Sequence, residues 1–157
     1  MVRILFVCTG NICRSPVAQG IFEDLVRREG LADELTVDSA GTHGFYTAGE
    51  QPDPRAQESL LSRGIDISAQ RARLLGPEDC GWFDYILTMD EANYRAVSAL
   101  CRENPIVRRF LDFAPGPATE VPDPYLGGTR GFQYALELIE EASEGLLREI
   151  RAKRPGG

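Results

Sequence analysis

Cys8 and Arg14 sit six positions apart in "VCTGNICRSP", residues 7–16. Taken singly they are odd. A cysteine closing an apolar run is ordinarily packing, and an arginine beside a helix start faces the positive end of the helix dipole. Together they make sense if the loop between them binds an oxyanion. Backbone N–H groups at a helix start are unsatisfied donors. Gly10 permits positive φ and Asn11 tolerates the left-handed region, so the loop can curl its N–H groups around one tetrahedral anion. Thr9, Gly10, Asn11, Ile12, Cys13 and Ser15 would form that cup, and Arg14 offers a planar fork to two oxygens. Cys8 would lie at its base. Only the thiolate is a good nucleophile; the loop N–H groups, the Ser15 hydroxyl and the Arg14 charge all favour it. The chemistry expected is attack of sulfur on a bound phosphoryl group.

Such a loop needs a strand that delivers Cys8 and a helix that receives Arg14. Residues 2–7 read as a buried strand. Ser15 suits a helix N-cap and Pro16 the first helical position. Val17, Ile21 and Leu25, flanked by Ala18, Phe22 and Val26, give a broad apolar helix face, with Gly30 as the stop. A second strand is expected over residues 35–37, ending at "DSAGT". Residues 43–54 read as a loop, 54–63 as a helix closed by Gly64, and a short helix follows Pro77. "FDYILTM" reads as a third strand, 91–102 as a helix, and "PIVRRFLDF" as a fourth strand. A long loop rich in Pro and Gly leads to an amphipathic helix over 132–151, with Lys153 onward expected to fray. Alternating strands and helices predict a four-stranded parallel sheet, doubly wound, with helices on both faces. Ligands in such sheets bind beyond the carboxyl ends of the strands. Cys8, "DSAGT", Met89-Asp90 and the long loop all fall at that end.

The bulk numbers narrow the classes. At 157 residues the chain is expected to be a single domain with a real core. A net charge of -7 argues against a general nucleic-acid binder, which needs a basic stripe. No apolar run reaches a membrane-spanning length, and the N-terminus is too short for a signal peptide, so the expectation is a cytoplasmic protein with no membrane partner. The four cysteines are therefore not read as a disulfide framework. With one histidine, His43, and no Cys-x-x-Cys pair, a zinc site is not expected. Cys80 and Cys101 read as buried hydrophobes, Trp82 as core, and His43 as a polar loop residue.

"VCTGNICRSP" resembles the phosphate-binding signature of the low-molecular-weight protein tyrosine phosphatases. "DSAGT", "DPRA", "FDYILTMD" and "VPDPYLGG" resemble that family's later motifs, in its order, over nearly the whole chain. The resemblance implies hydrolysis of phosphotyrosine in proteins through a phosphocysteine at Cys8, with Arg14 and the N–H groups of residues 9–15 holding the equatorial oxygens. Ser15 then donates to the thiolate, and Asn11 supports the loop through contacts that include Ser39. Asp123, which by itself reads as a turn residue between two prolines, becomes the general acid and then the base that activates water. Tyr125, and Phe45 or Tyr46, would line the mouth. Cys13 would pair with Cys8 under oxidation. No cofactor and no metal are implied, since Arg14 and the cup carry the equatorial charge. The partners implied are phosphotyrosine-bearing proteins, a tyrosine kinase among them, with inorganic phosphate as product.

Two departures stand out. Gln70 occupies a position where many relatives have His, and Tyr125 is followed by Leu126 rather than a second tyrosine. Alternatives on the same fold are a phosphoarginine phosphatase and an arsenate reductase. The apolar Ile12 suits a phenyl ring, where phosphoarginine enzymes tend to have Thr. The closely spaced cysteine that an arsenate reductase would place after Cys80 is missing. A non-catalytic oxyanion-binding module would need the cup but neither Cys8 nor Asp123.

Overall fold

The computed structural model describes residues 1–102, 106–124 and 127–153. Four parallel strands, β1 (Val2–Cys8), β2 (Leu35–Gly41), β3 (Tyr85–Thr88) and β4 (Ile106–Arg109), pair in the order β2-β1-β3-β4. Between and after them run α1 (Arg14–Arg28), α2 (Pro54–Leu61), α3 (Pro77–Trp82), α4 (Glu91–Leu100) and α5 (Gly128–Ala152). The expected doubly wound sheet is what the chain forms. Strand order reverses at β1, so the crevice of the switch point opens at its carboxyl end, beside Cys8.

Strand β1 is apolar on both faces because both are covered. Ile4, Phe6 and Cys8 face a core shared with α1, α2 and α5; Leu5 and Val7 face a second core with Phe83 and Val97. Phe6 meets Phe22 and Phe110 edge-on, at ring-centroid distances of 5.9 and 4.9 Å. Each such buried side chain contributes roughly 1.5–3 kcal/mol. In register, Cys8 stands beside Gly41 and Val7 beside Thr88, so three strand ends arrive level with one another.

Several expectations are corrected. Helix α1 begins two residues early, at Arg14, with Cys13 as its N-cap residue and no capping side chain. Ser15 is therefore inside the first turn, not the cap, and its hydroxyl is used elsewhere. Gly10 is not in the positive-φ region; Asn11 takes that conformation, with φ 57°. The fourth strand stops at Arg109, and residues 110–113 turn into a 3-10 segment that buries Phe110 and Leu111 against α5. Trp82 is 56% exposed at the end of α3, with the Arg3 guanidinium stacked 4.0 Å from its ring centroid. Cys80 and Cys101 are joined in a disulfide: α3 and α4 lie on the same sheet face and bring their Cα atoms to 5.3 Å. Of the tail expected to fray, Lys153 is the C-cap of α5 and residues 154–157 lie outside the described residues. No helix among the described residues is long and apolar enough to cross a membrane.

Candidate active site

Cys8, at the end of β1, is 3% exposed, and its sulfur has two polar neighbours. The backbone N–H of Asn11 donates to Sγ at 3.2 Å, and Ser15 Oγ lies 2.9 Å away. Asn11 Nδ2 donates to Ser15 Oγ at 2.8 Å and to Ser39 Oγ at 3.0 Å. Ser15 Oγ thus accepts from Asn11, and either partner can donate in its bond to the sulfur; opposite a thiolate, the donor is the Ser15 hydroxyl. Ser39 passes its hydrogen on to Gln19 Oε1 at 2.7 Å. The network radiates from the Asn11 amide, one arm running through Ser39 to Gln19 and the other through Ser15 to the sulfur.

Asn11 holds a left-handed backbone that costs a non-glycine residue roughly 1–2 kcal/mol. Its side chain offsets this with the bonds to Ser15 and Ser39 and with Oδ1, which accepts from Arg73 N at 2.9 Å. No motif in the sequence points to Arg73. Its guanidinium binds Asp79 through both oxygens at 3.1 Å and Asp38 at 3.0 and 3.2 Å, tying α3 and β2 to the residue that steadies the loop. Burial works against the Arg73 charge, but Asp79 and Asp38 outweigh it and raise the pKa further. Gly41 completes the seat: a Cβ there would come within 2.6 Å of Thr9 O and 3.1 Å of Asn11 N, both backbone atoms that cannot swing aside.

A cup whose N–H groups face inward must turn its carbonyls outward, and each needs a donor. Segment 42–53 supplies them. Thr42 N donates to Cys8 O at 2.9 Å, His43 N to Thr9 O at 2.9 Å, and Asp53 N to Ile12 O at 2.7 Å. The same segment carries the expected mouth aromatics. Phe45 and Tyr46 are 56% and 77% exposed, their ring centroids 4.2 Å apart, with the His43 ring 6.0 Å from Phe45. Tyr125 lies outside the described residues.

Arg14 is the first residue of α1, and its guanidinium is held from one end. Nη1 donates to Asp90 Oδ2 at 2.9 Å and to Val121 O at 3.1 Å. Asp90 is itself fixed as the N-cap of α4, accepting from Asn93 N at 2.8 Å. Among the described residues no hydrogen bond engages Nε or Nη2, the other edge of the fork. Val121 also donates its N–H to Met89 O at 2.8 Å, so the long loop is pinned where it crosses β3. Two residues on, Asp123 is exposed, and its charge acts on the Cys13 thiol inside the cup. The loop therefore brings this carboxylate to the same end of the sheet as Cys8.

Cys13 is a buried free thiol whose pKa is pushed up to about 12, by burial first and by the neighbouring Cys8 second. Below about pH 9 the thiol is protonated in both folded and unfolded chains. Above that the unfolded chain releases the proton and the folded one keeps it. Stability therefore falls with rising pH, by on the order of 1.4 kcal/mol per unit up to about 12. Urea unfolding of wild type and Cys13→Ala between about pH 8 and 11 is expected to show this slope in wild type and a shallower one in the variant.

A doubly wound sheet with a buried cysteine at the foot of a strand–loop–helix turn, at its switch point, defines the class. The description "Low molecular weight phosphotyrosine protein phosphatase" belongs to the family model that matches residues 3–155. The chain is a member of that family. It is 40% identical over 156 residues to the slr0328 protein of Synechocystis sp., covering 95% of this chain and 96% of that one. The low molecular weight protein-tyrosine-phosphatase YfkJ of Bacillus subtilis is 36% identical over 157 residues, 98% of this chain and 99% of YfkJ. The crystal structure of YfkJ superposes with a TM-score of 0.92 over 99% of this chain and 98% of that chain. A structure titled drosophila arginine phosphatase matches at a TM-score of 0.86 and 30% identity, over 96% of this chain and 99% of that chain.

Proposed function

We propose that this chain hydrolyses phosphotyrosine in proteins without a metal, through a phosphocysteine at Cys8. The observation that carries the reading is the placement of Cys8 Sγ between the Asn11 N–H and the Ser15 hydroxyl, under a loop that begins α1 at Arg14. In the first step the sulfur attacks phosphorus opposite the tyrosyl oxygen. The S–P bond forms, the P–O bond breaks, and Asp123 gives its proton to the departing phenol oxygen. Inward N–H groups of residues 9–15 and the free edge of Arg14 stabilise the equatorial oxygens. In the second step Asp123 takes a proton from water, the resulting oxygen attacks phosphorus, and phosphate and thiolate are released. Under peroxide, a sulfenic acid at Cys8 would condense with the Cys13 thiol, losing water and forming a disulfide that external thiols reverse.

A phosphoarginine substrate is the second reading, favoured by the likeness to the arginine phosphatase structure. Ile12 supports phosphotyrosine instead, since an apolar side chain at the cup gains more from a phenyl ring than from a guanidinium. Peptides carrying phosphotyrosine or phosphoarginine, supplied to the enzyme in excess EDTA, decide between them. The expected result is release of phosphate from the phosphotyrosine peptide with the larger kcat/KM. A larger value for phosphoarginine reverses the assignment, and no release from either removes the enzymatic reading.

A further inference from the structure

Three of the cup's outward carbonyls, those of Cys8, Thr9 and Ile12, are held by backbone N–H groups of segment 42–53. The carbonyl of Gly10 is held differently, by the hydroxyl of Thr47. That carbonyl belongs to the peptide unit whose other end is the Asn11 N–H, the group that donates to Cys8 Sγ at 3.2 Å. In a trans peptide the C=O and N–H point in opposite directions. Fixing the carbonyl outward therefore fixes the N–H toward the sulfur.

This peptide is the one in the loop most prone to rotate. Turning it over changes ψ of residue 10 and φ of residue 11. Gly10 has no Cβ to resist the first change, and a Cβ built there would meet only ordinary contacts, 3.7 Å to Ile12 and 3.8 Å to Thr47. The second change would release Asn11 from its left-handed conformation, so local strain favours the turned state. A turned peptide would aim a carbonyl oxygen at the sulfur and at any bound oxyanion. The carbonyl dipole repels a thiolate and a bound oxyanion alike.

We propose that Thr47 is a positioning residue for the reaction: its hydroxyl locks the Gly10–Asn11 peptide with the N–H facing Cys8. The proposal rests on the phosphatase reading above in taking Cys8 as the nucleophile. Thr47 directly follows Phe45 and Tyr46, so one segment carries both the exposed rings and this contact to the loop. The charged and titratable groups at the loop are Arg14 of α1 with its partner Asp90, the Cys13 thiol with Asp53 and Asp123 acting on it, and His43 of segment 42–53, whose N–H holds Thr9 O. A substitution at Thr47 alters none of them.

The test compares wild type, Thr47→Val, which keeps the shape and loses the hydroxyl, and Thr47→Ser, which keeps the hydroxyl. The pH dependence of Cys8 alkylation by iodoacetamide, read by peptide mapping, is the first measurement. The inhibition constant of inorganic phosphate and kcat/KM for p-nitrophenyl phosphate are the others. In Thr47→Val the alkylation curve is expected to move to higher pH, with phosphate binding and kcat/KM each weakened roughly fivefold, the factor for one net hydrogen bond. Thr47→Ser is expected to restore all three to within about twofold. Superimposable alkylation curves for Val and wild type overturn the proposal, as does a Ser variant that loses as much as Val. If wild type fails to cleave the aryl phosphate while the alkylation curves still separate, the phosphatase reading falls and the lock stands.

Discussion

Cys8→Ser is expected to abolish turnover, by about 10⁴–10⁶-fold, while leaving the affinity for inorganic phosphate within a few fold of wild type. The two effects come from different parts of the site. Turnover needs an anionic nucleophile, and a serine hydroxyl under the same donors is not ionised at neutral pH. The sulfur's hydrogen-bonding neighbours, Asn11 N–H and Ser15 Oγ, are not bases that could activate a serine, and no histidine lies in the loop. Anion binding depends instead on the inward N–H groups and on Arg14, which Asp90 and Val121 hold in place independently of the sulfur. Calorimetry with phosphate and an aryl phosphatase assay on the same preparation separate the two. Near-wild-type turnover in the variant would sink the phosphocysteine route. Loss of phosphate affinity along with turnover would mean that the sulfur, not the loop, organises the cup.

Much of this site is written locally, and that part is legible in the amino-acid order alone. Strand β1, the turn at Gly10-Asn11 and the start of α1 all lie within residues 2–16, so strand burial, left-handed tolerance and helix-start chemistry all speak about one short segment. The supports are another matter. Asp90 reaches Arg14 across 76 positions, Arg73 reaches Asn11 across 62, and Thr47 reaches Gly10 across 37. An aspartate at a helix start, an arginine in an irregular stretch and a threonine in a loop each have an ordinary local explanation. Their spacing does not set them apart from solvated side chains elsewhere on the surface. One signal does exist: Met89-Asp90 falls at the same end of the sheet as Cys8, and a carboxylate beside a half-buried arginine is a natural partner.

The corrected expectations have the same origin. Ser15 looks like a cap because a serine before Pro16 ordinarily is one. Here the helix starts at Arg14 without a side-chain cap, and the Ser15 hydroxyl lies against the sulfur. Cys80 and Cys101 look inert because they are 21 positions apart and the chain reads as cytoplasmic. Their proximity arises only in the folded chain, where both sulfurs join the apolar cluster of Ile86 and Val97 on one face of the sheet. Trp82 looks like core by size alone, yet its ring is half of a stacked pair with Arg3 at the sheet's far end.

Asp123→Asn is expected to slow release of the tyrosyl group by about 10²–10⁴-fold and to make the rate depend steeply on the leaving group. Asparagine keeps the size and position of the side chain between Pro122 and Pro124 but has no acidic proton to give. Tyrosine leaves poorly as an anion, so it loses most. A nitrophenol leaves readily without protonation and should lose least in the first step. The second step also suffers, because the amide cannot take a proton from the attacking water, and the phosphocysteine should accumulate. A series of aryl phosphates spanning leaving-group acidity, followed by rapid quench, reads both effects. The position of the carboxylate makes this specific. Val121 is pinned by Arg14 and by Met89 O, so Asp123 starts from an anchored point two residues away and not from a free loop. Equal turnover of a phosphotyrosine peptide by Asp123→Asn and wild type would remove Asp123 as the acid and leave the nucleophile and the cup untouched. A flat leaving-group dependence with a uniformly reduced rate would assign the side chain to loop placement instead.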